Sequence, residues 1–143
     1  MTLLLICLCS WAVAQIMKVI IGLLRERHFN WYYFVSSGGM PSSHSATVSA
    51  LATGVGIKYG INDVSFAISA ILAIVVMYDA AGVRRAVSRQ AFILNRIMKQ
   101  LRKQRPRELV EKDLRELVGH TPFQVFIGMA IGVIIAWLWL FLS

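Results

Sequence analysis

Four stretches of the chain are almost entirely apolar, and polar residues separate them. A helix needs about 17 to 25 such residues to cross a hydrocarbon core about 30 Å thick. The four stretches are therefore predicted to span a membrane, and they run approximately from Leu3 to Leu24, Ser43 to Tyr59, Val64 to Ala81 and Pro122 to Leu142. The pattern predicts an all-α membrane protein with about four transmembrane helices, folded as a single domain over residues 1–143.

The shorter apolar stretches and the first one need separate consideration. Only Gly60 to Asp63 separate the second stretch from the third. This spacing predicts a tight helical hairpin, and a shallow re-entrant pair is the alternative. The first stretch resembles a signal peptide near Ala14, but no basic residue precedes it and the apolar pattern continues to Leu24. We therefore expect it to be retained as a spanning helix.

A fifth, amphipathic helix is predicted in the long polar stretch from Gly82 to Thr121. Its apolar positions recur at near-helical spacing and are Val87, Leu94, Ile97, Met98 and Leu101. The basic residues among them are Arg85, Arg89, Arg96, Lys99, Arg102 and Lys103. This pattern predicts a basic helix on or near a membrane surface, attracted to anionic membrane lipids and ending near Pro106.

Charge and composition place these helices in a membrane and orient them. The chain is 57% hydrophobic, yet it carries fifteen Lys and Arg and a formal charge of +8. With four spans, all of these basic residues except Lys18 and Lys58 lie on one face. The positive-inside rule then predicts a multi-pass protein of a bacterial-type plasma membrane, with this face in the cytoplasm. The sequence contains neither a nucleic-acid recognition fold nor a soluble domain, so no nucleic-acid partner is predicted.

The segment GGMPSSHS stands directly before the second apolar stretch. Pro41 presets a helix start, and Ser42 or Ser43 can cap it. The N-terminus of a helix presents free N–H groups and the positive end of its dipole, so it favours an anion. His44, in the first turn, could donate a proton to a leaving group. A capped transmembrane helix with an interfacial histidine is the alternative.

A second histidine, His120, opens the fourth apolar stretch on the same face. Gln124 follows it by one helical turn and is placed to accept its N–H, which would fix the tautomer of the ring. His120 alone is typical of a helix end. Two histidines at two helix starts on one face indicate a shared site.

Further charged residues fall near this face. Lys18 and Arg25 lie on one stripe of the first helix, about 10 Å apart along its axis. They either point into the bundle toward an anion, or Lys18 snorkels to the surface. Asp79 is the acidic residue within a span, where such groups are usually paired or functional. Its candidate partners are Lys18, Arg84 and Arg85.

Taken together, these segments resemble the divergent branch of the type-2 phosphatidic acid phosphatase superfamily, which is related to the vanadium-dependent haloperoxidases. The segments that carry the resemblance are Ala14-Gln15 to Lys18, GGMPSSHSA, VVMYDAAGVRRAVSRQAFILN and ELVGHTPFQV. The resemblance implies that Lys18 and Arg25 fit the first phosphatase motif, with Glu26 in place of its usual proline. It implies that Pro41, Ser42, Ser43 and His44 fit the second motif, with His44 as proton donor.

The third motif fits less completely. The resemblance implies that His120 is the nucleophile, but Leu114 occupies the usual arginine position and Gln124 the usual acidic one. Arg115, Arg84 or Arg85 could supply the missing phosphate contact, since arginine offers a bidentate fork. An amide can orient His120 but cannot stabilise an imidazolium as a carboxylate does.

The expected function is a membrane-embedded phosphatase acting on a phosphorylated lipid, a phosphomonoester or a pyrophosphate, through a phosphohistidine. A non-catalytic binder or transporter of phosphorylated lipids is the first alternative, and a structural module that anchors partners is the second. Because no His and carboxylate cluster has ligand spacing, no metal or other cofactor is predicted. Small-residue spacing at Gly56 and Gly60 and at Gly128 and Gly132 is compatible with a homodimer.

Overall fold

The computed structural model describes residues 2–26, 40–102 and 120–142. The side chains outside this set include those of Arg25, Glu26, Arg84, Arg85, Ser88, Lys99, Leu101 and Arg102. Five helices make up almost all of the described chain: α1 (Thr2–Glu26), α2 (Ser43–Tyr59), α3 (Val64–Ala81), α4 (Val83–Arg102) and α5 (Pro122–Leu142). The predictions of an all-α fold and of the four apolar helices are confirmed.

Three of the described helices are long and apolar enough to cross a membrane: Thr2–Leu24 within α1, then α3 and α5. The fourth predicted span, α2, has 17 residues and is less apolar. It packs against α1, α3 and α5, so it is the central helix of the described bundle. Since its neighbours cover most of its surface, α2 does not need the apolar side chains that lipid contact requires. Its Ser, Ala and Gly residues instead let the other helices approach closely.

Helices α2 and α5 run parallel. The Ser42 amide donates a hydrogen bond to the Gln124 carbonyl (3.2 Å), and the Ser49 hydroxyl donates to the Met129 carbonyl (3.1 Å). Both helices therefore begin on the same side of the bundle. Helix α2 therefore accompanies a candidate spanning helix along its length and forms a helical hairpin with α3.

Helix α1 runs in the opposite direction to α2 and α5. Near its N-terminus, Ile6 forms a buried cluster with Ala50, in the middle of α2, and Ala136, in the later part of α5. Leu3 also comes close to Gly54. The C-terminal half of α1 is therefore brought to the side where α2 and α5 begin.

The turn between α2 and α3 explains the tight hairpin. Gly60 ends α2 with φ of 92°, a left-handed conformation that glycine adopts without steric cost, and its N–H donates to the Gly56 carbonyl. Asp63 caps α3 by accepting a 2.7 Å hydrogen bond from the Ser65 amide. Hydrogen bonds from the side chain and then the backbone of Ser65 lower the pKa of the Asp63 carboxyl below its usual value.

Three of the closely spaced glycines contact other helices of this chain. Gly128 packs against Ser42 and Gly132 against Ala46, so both lie in the contact between α5 and α2. Gly56 faces the ring of Phe66 across the hairpin. Close packing is found at Gly56, Gly128 and Gly132, where the contacts lie within this chain, whereas no atom lies within 4 Å of a Cβ added at Gly60.

Candidate functional site

The first turn of α2 is built on Ser42. Its hydroxyl oxygen accepts the Ser45 amide (3.4 Å) and the Ser45 hydroxyl (2.9 Å), so Ser42, and not Ser43, is the capping residue. Ser42, Ser43 and Ser45 are all buried, whereas the His44 side chain between them is exposed. The cap thus fixes a buried helix start with one histidine at its outer edge.

The start of α5 is held by a capping box. The Gln124 amide donates to the Thr121 hydroxyl (3.4 Å), and the Thr121 amide donates to Gln124 Oε1 (3.0 Å). This reciprocal pattern is the one that a Thr-x-x-Gln sequence favours at a helix N-terminus. Sequence reasoning assigned Gln124 only to His120 and missed this second role, although the spacing of Thr121 and Gln124 signals it.

The same amide oxygen also faces His120. Gln124 Oε1 lies 3.4 Å from His120 Nδ1, as the four-residue spacing predicted, and the His120 side chain is 1% exposed. The Thr121 N–H identifies this atom as the acceptor oxygen, so a hydrogen bond along this contact requires the ring proton to be on Nδ1. In the neutral ring, Nε2 then carries the lone pair. The contact is longer than a standard N–H···O bond, so it orients the ring loosely.

The two helix starts lie side by side. Since α2 and α5 are parallel and meet at Ser42 and Gln124, the positive ends of both dipoles fall in one place. Neither helix has an acidic residue in its first turn. Two adjacent helix N-termini with no carboxylate in their first turns favour an anion more strongly than one does.

Lys18 is placed at this same level by the register of α1. From Ile6 to Lys18 the helix advances about 18 Å. Starting from Ala136, which contacts Ile6, an equal step back along α5 reaches Gln124. The Lys18 side chain is 2% exposed. A snorkelling lysine would leave its ammonium in solvent, so the structure supports the alternative in which Lys18 points into the bundle.

Asp79 comes from α3. Gly56 contacts Phe66 across the hairpin, and equal steps along the two antiparallel helices bring Asp79 level with Ser43. Its side chain is half-buried. Asp79 is therefore close in height to His44 and to the start of α2.

The remaining candidate arginines lie outside what the structure describes. For Arg25, Arg84 and Arg85 only the backbone is described, in the last turn of α1 and the first turn of α4, and Arg115 falls outside the described residues altogether. Within the described ranges, no group of three or more His, Cys, Asp or Glu side chains could hold a metal ion.

Serines inside the bundle were missed at the sequence level. Ser45 and Ser49 are buried on the face of α2 that meets α5, and Ser49 reaches across to the α5 backbone. The signal was available, because Ser42, Ser45 and Ser49 recur at helical spacing. Ser49 therefore links α2 to α5, while Ser45 donates to Ser42 within the first turn of α2.

The sequence profile of the divergent PAP2 family matches residues 1–135. The chain belongs to the divergent PAP2 family. An uncharacterized membrane protein of Bacillus subtilis, YuiD, is 41% identical over 132 residues, which cover 85% of this chain and 83% of the relative. No solved structure matches the chain. In this divergent PAP2 protein, the matched region contains Lys18, His44, His120 and Gln124.

Proposed function

We propose that this divergent PAP2 protein is a membrane-embedded phosphatase that removes phosphate from a phosphorylated lipid, a phosphomonoester or a pyrophosphate. The observation that carries the proposal is the position of His120. This buried histidine precedes α5 where two parallel helices begin side by side, at the level of the buried Lys18. A nucleophile and an anion site thus coincide at one side of a membrane bundle.

Binding of the phosphate rests on the positive groups that converge there. The amides of Ser43 and His44 in the first turn of α2 can hydrogen-bond phosphate oxygens, whereas the Ser42 amide donates to the Gln124 carbonyl. The dipoles of α2 and α5 favour negative charge. Lys18 adds a full charge from α1. Arg25, together with a loop or helix arginine among Arg84, Arg85 and Arg115, would complete the shell around the phosphate.

The reaction would proceed in two balanced steps. In the first, His120 Nε2 attacks phosphorus, a P–N bond forms, and the P–O bond to the lipid breaks. The His44 imidazolium gives its proton to the departing oxygen. In the second, neutral His44 takes a proton from water, whose oxygen attacks phosphorus and breaks the P–N bond. Inorganic phosphate leaves, and both histidines return to their starting forms.

A non-catalytic binder or transporter of phosphorylated lipids is the second candidate. It is favoured by Gln124, which stands where related phosphatases place an acidic residue and whose Oε1 already accepts from the Thr121 amide. A neutral amide does not stabilise a positively charged His120. Under this alternative the anion site is kept and turnover is lost.

Purified full-length protein in lipid nanodiscs decides between the two candidates. Phosphatidate and an isoprenoid pyrophosphate, each labelled with ³²P, are supplied as substrates. We expect release of inorganic phosphate, inhibition by vanadate, and a transient phosphoprotein that is stable to alkali and labile to acid. Saturable binding of both lipids with no phosphate release would contradict the enzyme and support the binder.

The proposed orientation places the site at the cytoplasmic face of a bacterial-type plasma membrane. It predicts that Asn62→Cys, in the α2–α3 turn, reacts with an impermeant thiol reagent added to intact cells, whereas Gln100→Cys in α4 reacts only after permeabilisation. Both variants are made in a Cys7→Ser, Cys9→Ser background, which serves as the unlabelled control. Labelling of Gln100→Cys from outside would reverse the orientation.

A further inference from the structure

Helix α4 exposes apolar residues and buries a polar one, whereas a helix packed on a protein buries its apolar side. Its apolar residues Val83, Val87, Leu94 and Ile97 are 43–54% exposed, whereas Asn95 is only 6% exposed. Among the described helices, α4 contacts α3 alone. The apolar side of α4 is therefore not used to pack against the described bundle.

Four of the six large exposed apolar residues of α4 form one continuous arc, with Ile93 beside it and Phe92 on the opposite side. At 100° per residue, Val83, Val87, Leu94 and Ile97 fall within about 80° of the helix circumference. Arg89 and Arg96, which are exposed, project from the other side. In total, α4 contains six Lys or Arg and no Asp or Glu. An apolar arc and a basic arc thus run along the same helix.

We propose that α4 is an interfacial helix that binds an anionic lipid surface. Its apolar arc would lie at the boundary of the acyl chains, and its basic arc would contact phosphate headgroups. The position supports a lipid partner, because α4 begins directly after α3, a span that ends at the membrane surface. Charge complementarity supports an anionic one. This proposal does not depend on phosphatase activity.

Fluorescence quenching in reconstituted vesicles tests which surface covers the apolar arc. A polarity-sensitive thiol probe is placed at Val87→Cys or Leu94→Cys in full-length protein lacking Cys7 and Cys9, with Arg96→Cys as the matched control. We expect lipids brominated near the headgroup to quench the first two probes several-fold more than the third. Equal quenching at all three positions would overturn the proposal. So would shielding from water without lipid quenching, which would indicate a second copy or a protein partner.

The charge requirement is tested with spin-labelled lipids. In vesicles of phosphatidylcholine with phosphatidylglycerol, we expect Arg89→Gln with Arg96→Gln to lower the preference for the anionic lipid by about fivefold for each arginine, the equivalent of about 1 kcal/mol per basic group. Arg89→Lys with Arg96→Lys should retain the preference, and so should Lys58→Gln, at the far end of α2. An unchanged preference in the glutamine variant would contradict the proposal. A failure of the phosphatase would leave these results unaltered.

Discussion

Replacement of His120 by alanine is expected to abolish phosphate release, with kcat lowered by roughly four orders of magnitude or more, as for loss of a catalytic nucleophile. The side chain removed is the proposed attacking group, and the Gln124 amide that faces it cannot form a phosphoenzyme. Binding of vanadate should weaken only a few-fold, since Lys18 and the starts of α2 and α5 remain. The measurement pairs ³²P release with vanadate affinity in the same nanodisc preparation.

The chain offers a matched control, because its remaining histidine, His28, follows Arg25 by three residues and belongs to none of the three phosphatase motifs. His28→Ala makes the same chemical change and should leave kcat within a few-fold of the unmodified protein. His44→Ala should retain slow phosphoenzyme formation, with a loss of about 10²–10⁴-fold from the missing proton donor. Persistent phosphate release by the His120→Ala protein would exclude His120 as the nucleophile. If the His120→Ala protein lost vanadate binding at an unchanged melting temperature, His120 would be assigned a role in anion binding and not in nucleophilic attack.

The bounds of the apolar helices could be predicted because hydrocarbon thickness imposes them. Ser43–Tyr59, Val64–Ala81 and Pro122–Leu142 match their predicted bounds, and α1 differs by one residue at its start and two at its end. The arrangement of these helices could not be predicted. Hydropathy indicates how many helices meet lipid but not which are neighbours, so the central place of α2 and its parallel pairing with α5 came only from the structure.

In the candidate site, too, local contacts could be predicted from the sequence and contacts between helices could not. A spacing of four residues predicted the contact between His120 and Gln124, although His120 lies just before the start of α5. The orientation of the Lys18 side chain could not be predicted in this way. The same sequence allows the side chain to snorkel to the surface or to point into the bundle, and the surrounding helices decide between the two. Burial of its side chain supports the inward position.

The spacing of small residues predicted a close helix contact but not the identity of the partner helix. The pattern at Gly128 and Gly132 marks a close helix contact, but it does not state whether the partner belongs to the same chain. Here the partner is α2. The glycines therefore position the candidate site, because they let α5 approach α2 closely enough for the Ser42 amide to reach the Gln124 carbonyl.

Substitution of Gly132 by alanine is expected to disrupt this arrangement and to destabilise the folded protein by about 3 kcal/mol or more, at the upper end of the cost of overpacking. The added Cβ would overlap the Ala46 carbonyl oxygen and the Ser49 hydroxyl, and it would lie 2.9 Å from the Ala50 amide. Two of these groups are backbone atoms of α2, so they cannot turn away as a side chain can. The Ser49 hydroxyl would also be displaced from its hydrogen bond to the Met129 carbonyl. Reversible unfolding in mixed micelles measures the change.

Gly54→Ala is the matched control, since it adds the same methyl group to another glycine in the bundle. There the nearest atom is Leu3 Cδ2, at 2.8 Å, the far end of a flexible side chain near the start of α1. A small rotation of Leu3 relieves the contact, so we expect a loss below about 1 kcal/mol. Vanadate affinity separates the two further: it should fall for Gly132→Ala, which moves the two helix starts apart, and hold for Gly54→Ala. Equal stability losses, or intact vanadate binding in Gly132→Ala, would show that the α2–α5 contact does not position the anion site.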